Sequence, residues 1–429
     1  MYREAIEKLK KWKEKEDRKP LIIMGARQVG KTWLMQEFGR TSYTKTAYIS
    51  FYNNPRAKSL FDQDYDIQRL ILSLGIESGV TITEGDTLII FDEIQNAPRA
   101  LESLKAFCED GRNYHLIAAG SLLGIAHHKG VSYPVGKVDL MNLYPLSYRE
   151  FLNAVGEEKL AEALSTGDFS LTDTFSDRYL FWLKNYLYIG GMPEVVSDFL
   201  KHRDYKSVRE KQDAITAFYR GDFGNHIEGN ELEKVCLVWD SIPLQLAKEN
   251  KKFFFGKMKK GARASEYETA VQWLVDYGVV RKVNMVNEPH LPLKAYINFS
   301  SFKLFLVDVG LLGALSAMPA EAVIDGDDAF VEFKGAMTEQ FVLQELTATT
   351  DYPVYYYGTD KATFEQDFLI QKGVDIIPIE VKAGGNTRSQ SLKAYCDKFS
   401  PRRAVRFSTL KYISQGWMEN IPLYGVSKI

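Results

Sequence analysis

The chain has 429 residues, with 54 Lys and Arg against 56 Asp and Glu and a formal net charge of −2, so no global basic field draws it to nucleic acid and any such contact rests on local patches. Hydrophobic residues at 45% and charged residues at 26% exclude a disordered or fibrous chain, and at roughly 150 residues per domain the length allows two to four domains with cores of their own. Cys108, Cys236 and Cys396 lie far apart with no CxxC pair, which argues against a zinc site and against a disulfide framework.

The first segment, MYREAIEKLKKWKEKEDRKP, is charged and lacks the apolar stretch of a signal peptide. No later run approaches ~18 uninterrupted apolar residues, so the expected location is the cytoplasm, with no membrane partner. Between 21 and 145, the runs LIIM (21–24), TAYISF (46–51), TLIIFDE (87–93), YHLIAAGS (114–121) and VDLMNLYP (138–145) alternate with helical stretches. Strands that are nearly continuous in apolar residues predict a parallel sheet covered on both faces. Residues 1–150 therefore read as an α/β domain, and the chain as an α/β multi-domain protein.

Residues 151–230 read as helical. Over 231–325, the helices ELEKVCLVWDSIPLQLAKEN and ASEYETAVQWLVDYG precede the strands VVRKVNMV and KAYINFS, a winged-helix-like order. Tyr267, Val271 and Leu274 repeat at helical spacing and give the second helix a buried stripe. After AVIDGDDAF (322–330), residues 326–429 predict a helix (334–348), the strands PVYYYG, QDFLI and IIPIEVKAG, a helix around 388–398 and a strand near RAVRFS, an αβββαβ order.

Two motifs carry nucleotide chemistry. GARQVGKT fits GxxxxGKT between a strand and a helix, the context the phosphate loop requires. Its residues Gly25, Ala26, Arg27, Gln28, Val29, Gly30, Lys31 and Thr32 are expected to surround the phosphates of ATP, through backbone N–H groups and the helix N-terminus. Lys31 supplies a positive charge to the β- and γ-phosphates, and Thr32 offers its hydroxyl to Mg²⁺. LIIFDE ends in Asp92, expected to hold Mg²⁺ through water, and Glu93, expected to polarise the attacking water. Ser121 either senses the γ-phosphate or caps a helix. Gln95 either orients water or caps the turn after Glu93. Arg27 lies within the loop and is expected to reach solvent or a neighbour, while Arg99 and Arg149 are candidates for an arginine finger.

Taken together, GARQVGKT, DEIQNAP, AAGSLLG, YPVGKVDLMNLYPLSYREFL and YIGGMPEVV resemble the prokaryotic AAA-type ATPases of the AAA_14 group joined to a DUF4143 C-terminal region. The resemblance covers nearly the whole chain. It implies a winged helix in the middle region and a restriction-endonuclease-like, PD-(D/E)XK fold at the C-terminus. Members often carry Arg where Lys137 stands, and lysine is a point charge rather than a planar fork.

In the middle region, Lys251, Lys252, Lys257, Lys259, Lys260 and Arg263 precede the second helix and suit a phosphate backbone, whereas Glu266 and Glu268 open that helix and repel one. At the C-terminus, Glu380 and Lys382 fall two apart on a strand and so share a face, and Asp367 lies on the preceding strand. A nuclease of this class would use Glu339, Asp367 and Glu380 to hold Mg²⁺ and Lys382 to position or activate water, with Gln390 nearby and Arg388, Arg402, Arg403 and Arg406 facing phosphates. The opposing reading is an inherited fold with a quiet site, or a salt bridge between Lys382 and Asp367. Two functions follow: an ATPase coupled to a nuclease-like domain acting on DNA, or an ATP-dependent switch whose C-terminal domains bind DNA or a protein partner without cleavage.

Overall fold

A computed structural model describes residues 1–120, 134–248, 251–325, 331–358, 364–384 and 388–429. The chain divides into two compact units: residues 2–144 with 276–278, and the remainder from 145 onward with Met1. None of the described helices is long and apolar enough to cross a membrane.

The first unit is built on a parallel sheet of β1 (Leu21–Met24), β2 (Lys45–Ser50), β3 (Thr87–Asp92), β4 (His115–Ala119) and β5 (Asp139–Asn142), in the order β2-β3-β4-β1-β5. All four pairings are parallel. Strands β1, β3 and β4 are apolar on both faces because helices cover both, as the sequence predicts. On one side Phe51, Phe61, Phe91 and Phe107 meet edge to face, the arrangement that aromatic quadrupoles favour. β4 separates the strand that leads into the phosphate loop from the strand that ends in Asp92. The loop, Asp92 and Ser50 (paired with Asp92 across β2 and β3) therefore lie on one edge of the sheet, at the C-terminal ends of β1, β3 and β2, where ligands of open α/β sheets bind.

The second unit begins with helices, among them Ser176–Ile189, Pro193–His202 and Tyr205–Phe223. It then forms a sheet from β6 (Val280–Val286), β7 (Ile297–Leu306), β8 (Val354–Tyr357), β9 (Gln366–Lys372), β10 (Asp375–Val381), β11 (Val405–Ser408), β12 (Ile413–Ser414) and β13 (Glu419–Pro422). The order is β12-β13-β11-β10-β9-β8-β6-β7. The helix Val331–Thr349, β8, β9, β10, the helix Gln390–Phe399 and β11 follow one another in the αβββαβ order. Two features differ from the sequence reading. The β6–β7 hairpin is continuous with the C-terminal strands through a parallel β6–β8 pairing, Met285 with Tyr356 and Val286 with Tyr357, so the hairpin and residues beyond 326 share one sheet. And β11 is not the last strand: β12 and β13 follow, neither carrying an apolar run.

The motif YIGGMPEVV has a packing reason. A Cβ on Gly190, where φ is +77°, would fall 2.2 Å from Asp308 Oδ1, and one on Gly191 would fall 2.3 Å from the Leu146 carbonyl. The fully buried Asp308 accepts from Gly191 N–H at 2.6 Å, Leu311 N–H at 3.2 Å and Gln344 Nε2 at 3.1 Å. Gln344 Nε2 also donates to the Tyr186 hydroxyl at 2.8 Å. Glycine lets the backbone approach this carboxylate, and the polar cluster ties the helix Ser176–Ile189 to the helix Val331–Thr349.

Candidate functional site

The phosphate loop takes its shape from residues with positive φ: Gly25 at 145°, Gln28 at 65° and Gly30 at 92°. A side chain at Gly25 is barred twice, since its Cβ would lie 2.2 Å from the Leu143 carbonyl. Gly30 stands at the N-terminus of the helix Lys31–Ser42 with no capping side chain, so the first N–H groups of that helix are available to an anion, with the helix dipole behind them. Lys31, 8% exposed, donates to the carbonyls of Gly25 at 2.9 Å and Ala26 at 2.7 Å. Burial lowers its pKa to about 8, against the pull of the Glu93 and Asp92 carboxylates. Its ammonium is thus held in the centre of the loop and is readily drawn to a phosphate oxygen.

Asp92 is the hub of the acidic side. Its Oδ2 accepts from Thr32 Oγ1 at 2.7 Å and from the Tyr48 hydroxyl at 2.8 Å, and its Oδ1 accepts from Glu93 N–H at 3.0 Å. A hydroxyl and a carboxylate in direct contact at the mouth of the loop are the donor set a hard cation such as Mg²⁺ takes, so the residues fit the ion that accompanies ATP. Thr32 and Asp92 would hold it, and it would neutralise charge on the phosphates. Tyr48 was not read from the sequence: its partner lies 44 positions on, and only the parallel pairing of β2 with β3 brings them together. Glu93 receives the side-chain amide of Gln95 on Oε2.

Other expected contributors lie elsewhere or are engaged. Ser121 lies outside the described residues. Lys137 pairs with Glu109 at 2.7 Å on the surface, and Arg99 donates to the Phe61 carbonyl at 2.8 Å while covering the Tyr65 ring. Arg27 and Arg149 are half-buried and have partners of their own.

In the second unit, the antiparallel register of β9 with β10 sets Asp367 beside Glu380, and Asp367 Oδ2 accepts from Val381 N–H at 2.7 Å. Glu380, 5% exposed, meets Lys382 at 2.9 Å through Oε1. Glu339, 4% exposed, meets Lys251 at 2.5 Å through its own Oε1. Lys303, 1% exposed on β7, meets Glu365 at 2.6 Å. Burial pulls the Lys303 pKa down, but the charges of Glu365, Glu339 and Asp367 outweigh it and the net displacement is upward. Burial and the neighbouring charge of Glu339 raise Asp367 to about 7, opposed by Lys303 and Lys251.

The cluster therefore alternates carboxylates with ammonium groups. Among the described residues, no three His, Cys, Asp or Glu side chains gather as a metal-holding group, in contrast to the ligand set Glu339, Asp367 and Glu380 expected from the sequence. Lys251, Lys303 and Glu365 were missed as members. For Lys303 there was a signal, a lysine inside the apolar run FKLFL. Lys251 stands in the basic segment, but its ammonium points to a buried glutamate, not to solvent.

Of the four arginines expected to face phosphates, one is buried and two have carboxylate partners. Arg406 is buried and donates to Asn420 Oδ1 at 2.9 Å and Ser389 Oγ at 3.2 Å. Arg403 pairs with Glu419 at 3.0 Å and Arg402 with Asp375 at 3.4 Å. Arg388 and Gln390 are exposed.

Residues 17–152 match the family described as an AAA domain, 180–322 match a domain of unknown function (DUF8612), and 334–425 match another (DUF4143). No curated protein matches the sequence. Among solved structures, the chain is similar to the Walker-type ATPase PABY2304 of Pyrococcus abyssi, at 15% identity over 73% of this chain and 95% of that one, with a TM-score of 0.47. The Aeropyrum pernix ORC1 protein in complex with DNA matches at 14% identity over 74% and 91%, with a TM-score of 0.28. The Thermotoga maritima RuvB Holliday junction branch migration motor matches at 13% over 69% and 94%, with a TM-score of 0.29. The first unit is a P-loop ATPase domain of AAA type that binds and hydrolyses ATP, and it is followed by a DUF4143 region.

Proposed function

We propose that the protein is an ATP-dependent switch whose C-terminal unit binds DNA without cutting it. The observation that carries the reading is the pairing of carboxylates with lysines: the buried Glu339 with Lys251, the buried Glu380 with Lys382, and the half-buried Glu365 with the buried Lys303. Ammonium groups neutralise the acids locally, and a buried pair of this kind is disrupted only at a cost of several kcal/mol, so the cluster acts first as a structural network. DNA as the partner is supported by the basic segment before the helix Ala264–Tyr277, where Lys257, Lys259, Lys260 and Arg263 are exposed. Such a segment suits phosphate contacts that position a duplex without reading its sequence. In the ATPase domain, Lys31 and the loop amides bind the phosphates and Glu93 takes a proton from the attacking water. A change of charge at the γ-phosphate then alters the contacts of Asp92, Thr32 and Tyr48.

A second reading, Mg²⁺-dependent DNA cleavage by a PD-(D/E)XK-type C-terminal domain, is favoured by one observation. Glu339 Oε2 and Glu380 Oε2 are both buried without a hydrogen-bond partner among the described residues, and orphaned carboxylate oxygens are acceptors for a cation. The αβββαβ order agrees with it.

The two readings separate in one set of reactions. Binding of labelled duplex DNA is measured by anisotropy with ATP or ADP and Mg²⁺, and supercoiled plasmid is incubated with Mg²⁺ or Mn²⁺. The switch reading expects affinity to differ between nucleotides, this difference to vanish in Lys31→Ala, and the plasmid to remain intact. Cleavage by the wild type that Glu380→Ala and Lys382→Ala abolish transfers the assignment to the nuclease. Absence of DNA binding in every nucleotide state removes DNA as the partner.

A further inference from the structure

At the end of β3 the backbone of Glu93 has φ of 55°, a left-handed conformation that few non-glycine residues adopt. It starts the short turn Ile94–Asn96, in which Asn96 N–H donates to the Glu93 carbonyl at 3.0 Å. The turn brings the side chain of Gln95 back onto Glu93, where Nε2 donates to Oε2. Chemistry fixes which end of the amide faces the acid, because an amide oxygen against a carboxylate oxygen would be repelled. The other end, Gln95 Oε1, is buried and has no hydrogen-bond partner among the described residues. A residue that merely caps the turn would spend its amide on backbone groups, and the contact made by Gln95 is to a side chain that belongs to the hydrolytic machinery.

A water attacking phosphorus has two protons to place. One leaves with the general base, and the other needs an acceptor that holds the oxygen in line. We propose that Gln95 orients the attacking water jointly with Glu93: Nε2 fixes Glu93 Oε2 so that Oε1 of Glu93 faces the water, and Gln95 Oε1 accepts the second O–H. The water oxygen forms its bond to the γ-phosphorus as the bond from that phosphorus to the β,γ-bridging oxygen breaks. ADP leaves with that electron pair, Glu93 takes one proton, and the O–H held by Gln95 stays on the phosphate product. The buried, unpartnered amide oxygen and the left-handed turn both have a use in this arrangement.

The test is steady-state ATP hydrolysis by the full chain, with binding of a fluorescent ATP analogue measured in parallel. Gln95→Ala is expected to lower kcat on the order of 100-fold, as loss of a group that assists proton transfer does, with KM and analogue affinity changed less than about twofold. Gln95→Glu sets a second carboxylate against Glu93, and two carboxylates sharing a site raise one another's pKa. The acid limb of its kcat–pH profile is expected to move to higher pH by about one unit. A kcat within twofold of wild type in Gln95→Ala overturns the proposal, as does an unmoved acid limb in Gln95→Glu that still binds the analogue. If Gln95→Ala fails to bind the analogue, its kcat is set aside and the pH profile of Gln95→Glu decides.

Discussion

Lys31 sits where two demands meet. Burial lowers its pKa to about 8 while Glu93 and Asp92 favour its charge, and phosphates brought beside it favour the ammonium further. Below that value Lys31 is already charged and nucleotide binding needs no proton. As pH rises through about 8 the free protein loses the charge, so binding must take up a proton and the affinity for ATP falls. Calorimetry in buffers of different ionisation enthalpy is expected to give almost no proton uptake near about pH 6.5 and approaching one proton near about pH 9. Equal uptake at both values would mean that Lys31 titrates elsewhere. At this scale the nucleotide site was largely legible, because GARQVGKT and LIIFDE name residues whose roles depend on their own backbone path. What was not legible is what each side chain touches. Tyr48 reaches Asp92 only through the pairing of two strands, and Gln95, for which the sequence left two roles open, is aimed at Glu93 by a left-handed residue.

Among the elements, the helix Val309–Leu315 and the turn before Pro193–His202 depend on one carboxylate. Asp308 caps the first through Leu311 N–H and holds the second through Gly191 N–H, with Gln344 as a third donor. Burial raises its pKa to about 6, against the hydrogen bonds from Gly191, Leu311, Gln344 and Gly310. Between the unfolded value near ~4 and the folded value, the native state holds a proton that the unfolded chain has lost. Stability from this group is therefore full below ~4 and is lost as pH rises through about 6. Asp308→Ala leaves the backbone N–H groups of Gly191 and Leu311 without this acceptor, while Gln344 Nε2 keeps the Tyr186 hydroxyl, and is expected to cost about 3 kcal/mol at neutral pH. The same variant should flatten the pH dependence of stability between ~4 and ~6. Urea unfolding across that range checks both, and a loss under about 1 kcal/mol would mean that water satisfies the donors. The strands and most helices were readable from apolar runs and periodicity. The β6–β8 pairing and the short strands β12 and β13 were not, since a pairing joins residues some seventy positions apart, as Met285 and Tyr356 are, and neither the two-residue IS nor ENIP carries an apolar run.

At the scale of the whole molecule the charges nearly cancel, so association with a polyanion rests on segments rather than on net charge. Replacing Lys257, Lys259, Lys260 and Arg263 together by Ala is expected to weaken duplex binding uniformly across sequences and to reduce the slope of log K against log salt by up to roughly 0.9 for each phosphate that is no longer neutralised. Anisotropy titrations at several KCl concentrations measure it, and an unchanged slope would place the DNA-binding surface elsewhere. Lys251 belongs to the same basic segment in sequence yet is committed to Glu339 in space. The sequence by itself determined the ATPase: the phosphate loop and the acidic strand end are each written in consecutive residues, while the sheet order brings Thr32 to Asp92. It also supplied Glu339, Asp367, Glu380 and Lys382 as one candidate cluster. Lys382 meets Glu380 from two residues away, but only the tertiary structure decided that Lys251 meets Glu339 from 88 positions away and that Lys303 joins the cluster through Glu365, 62 positions on, since burial demands a partner for a charge that water no longer screens.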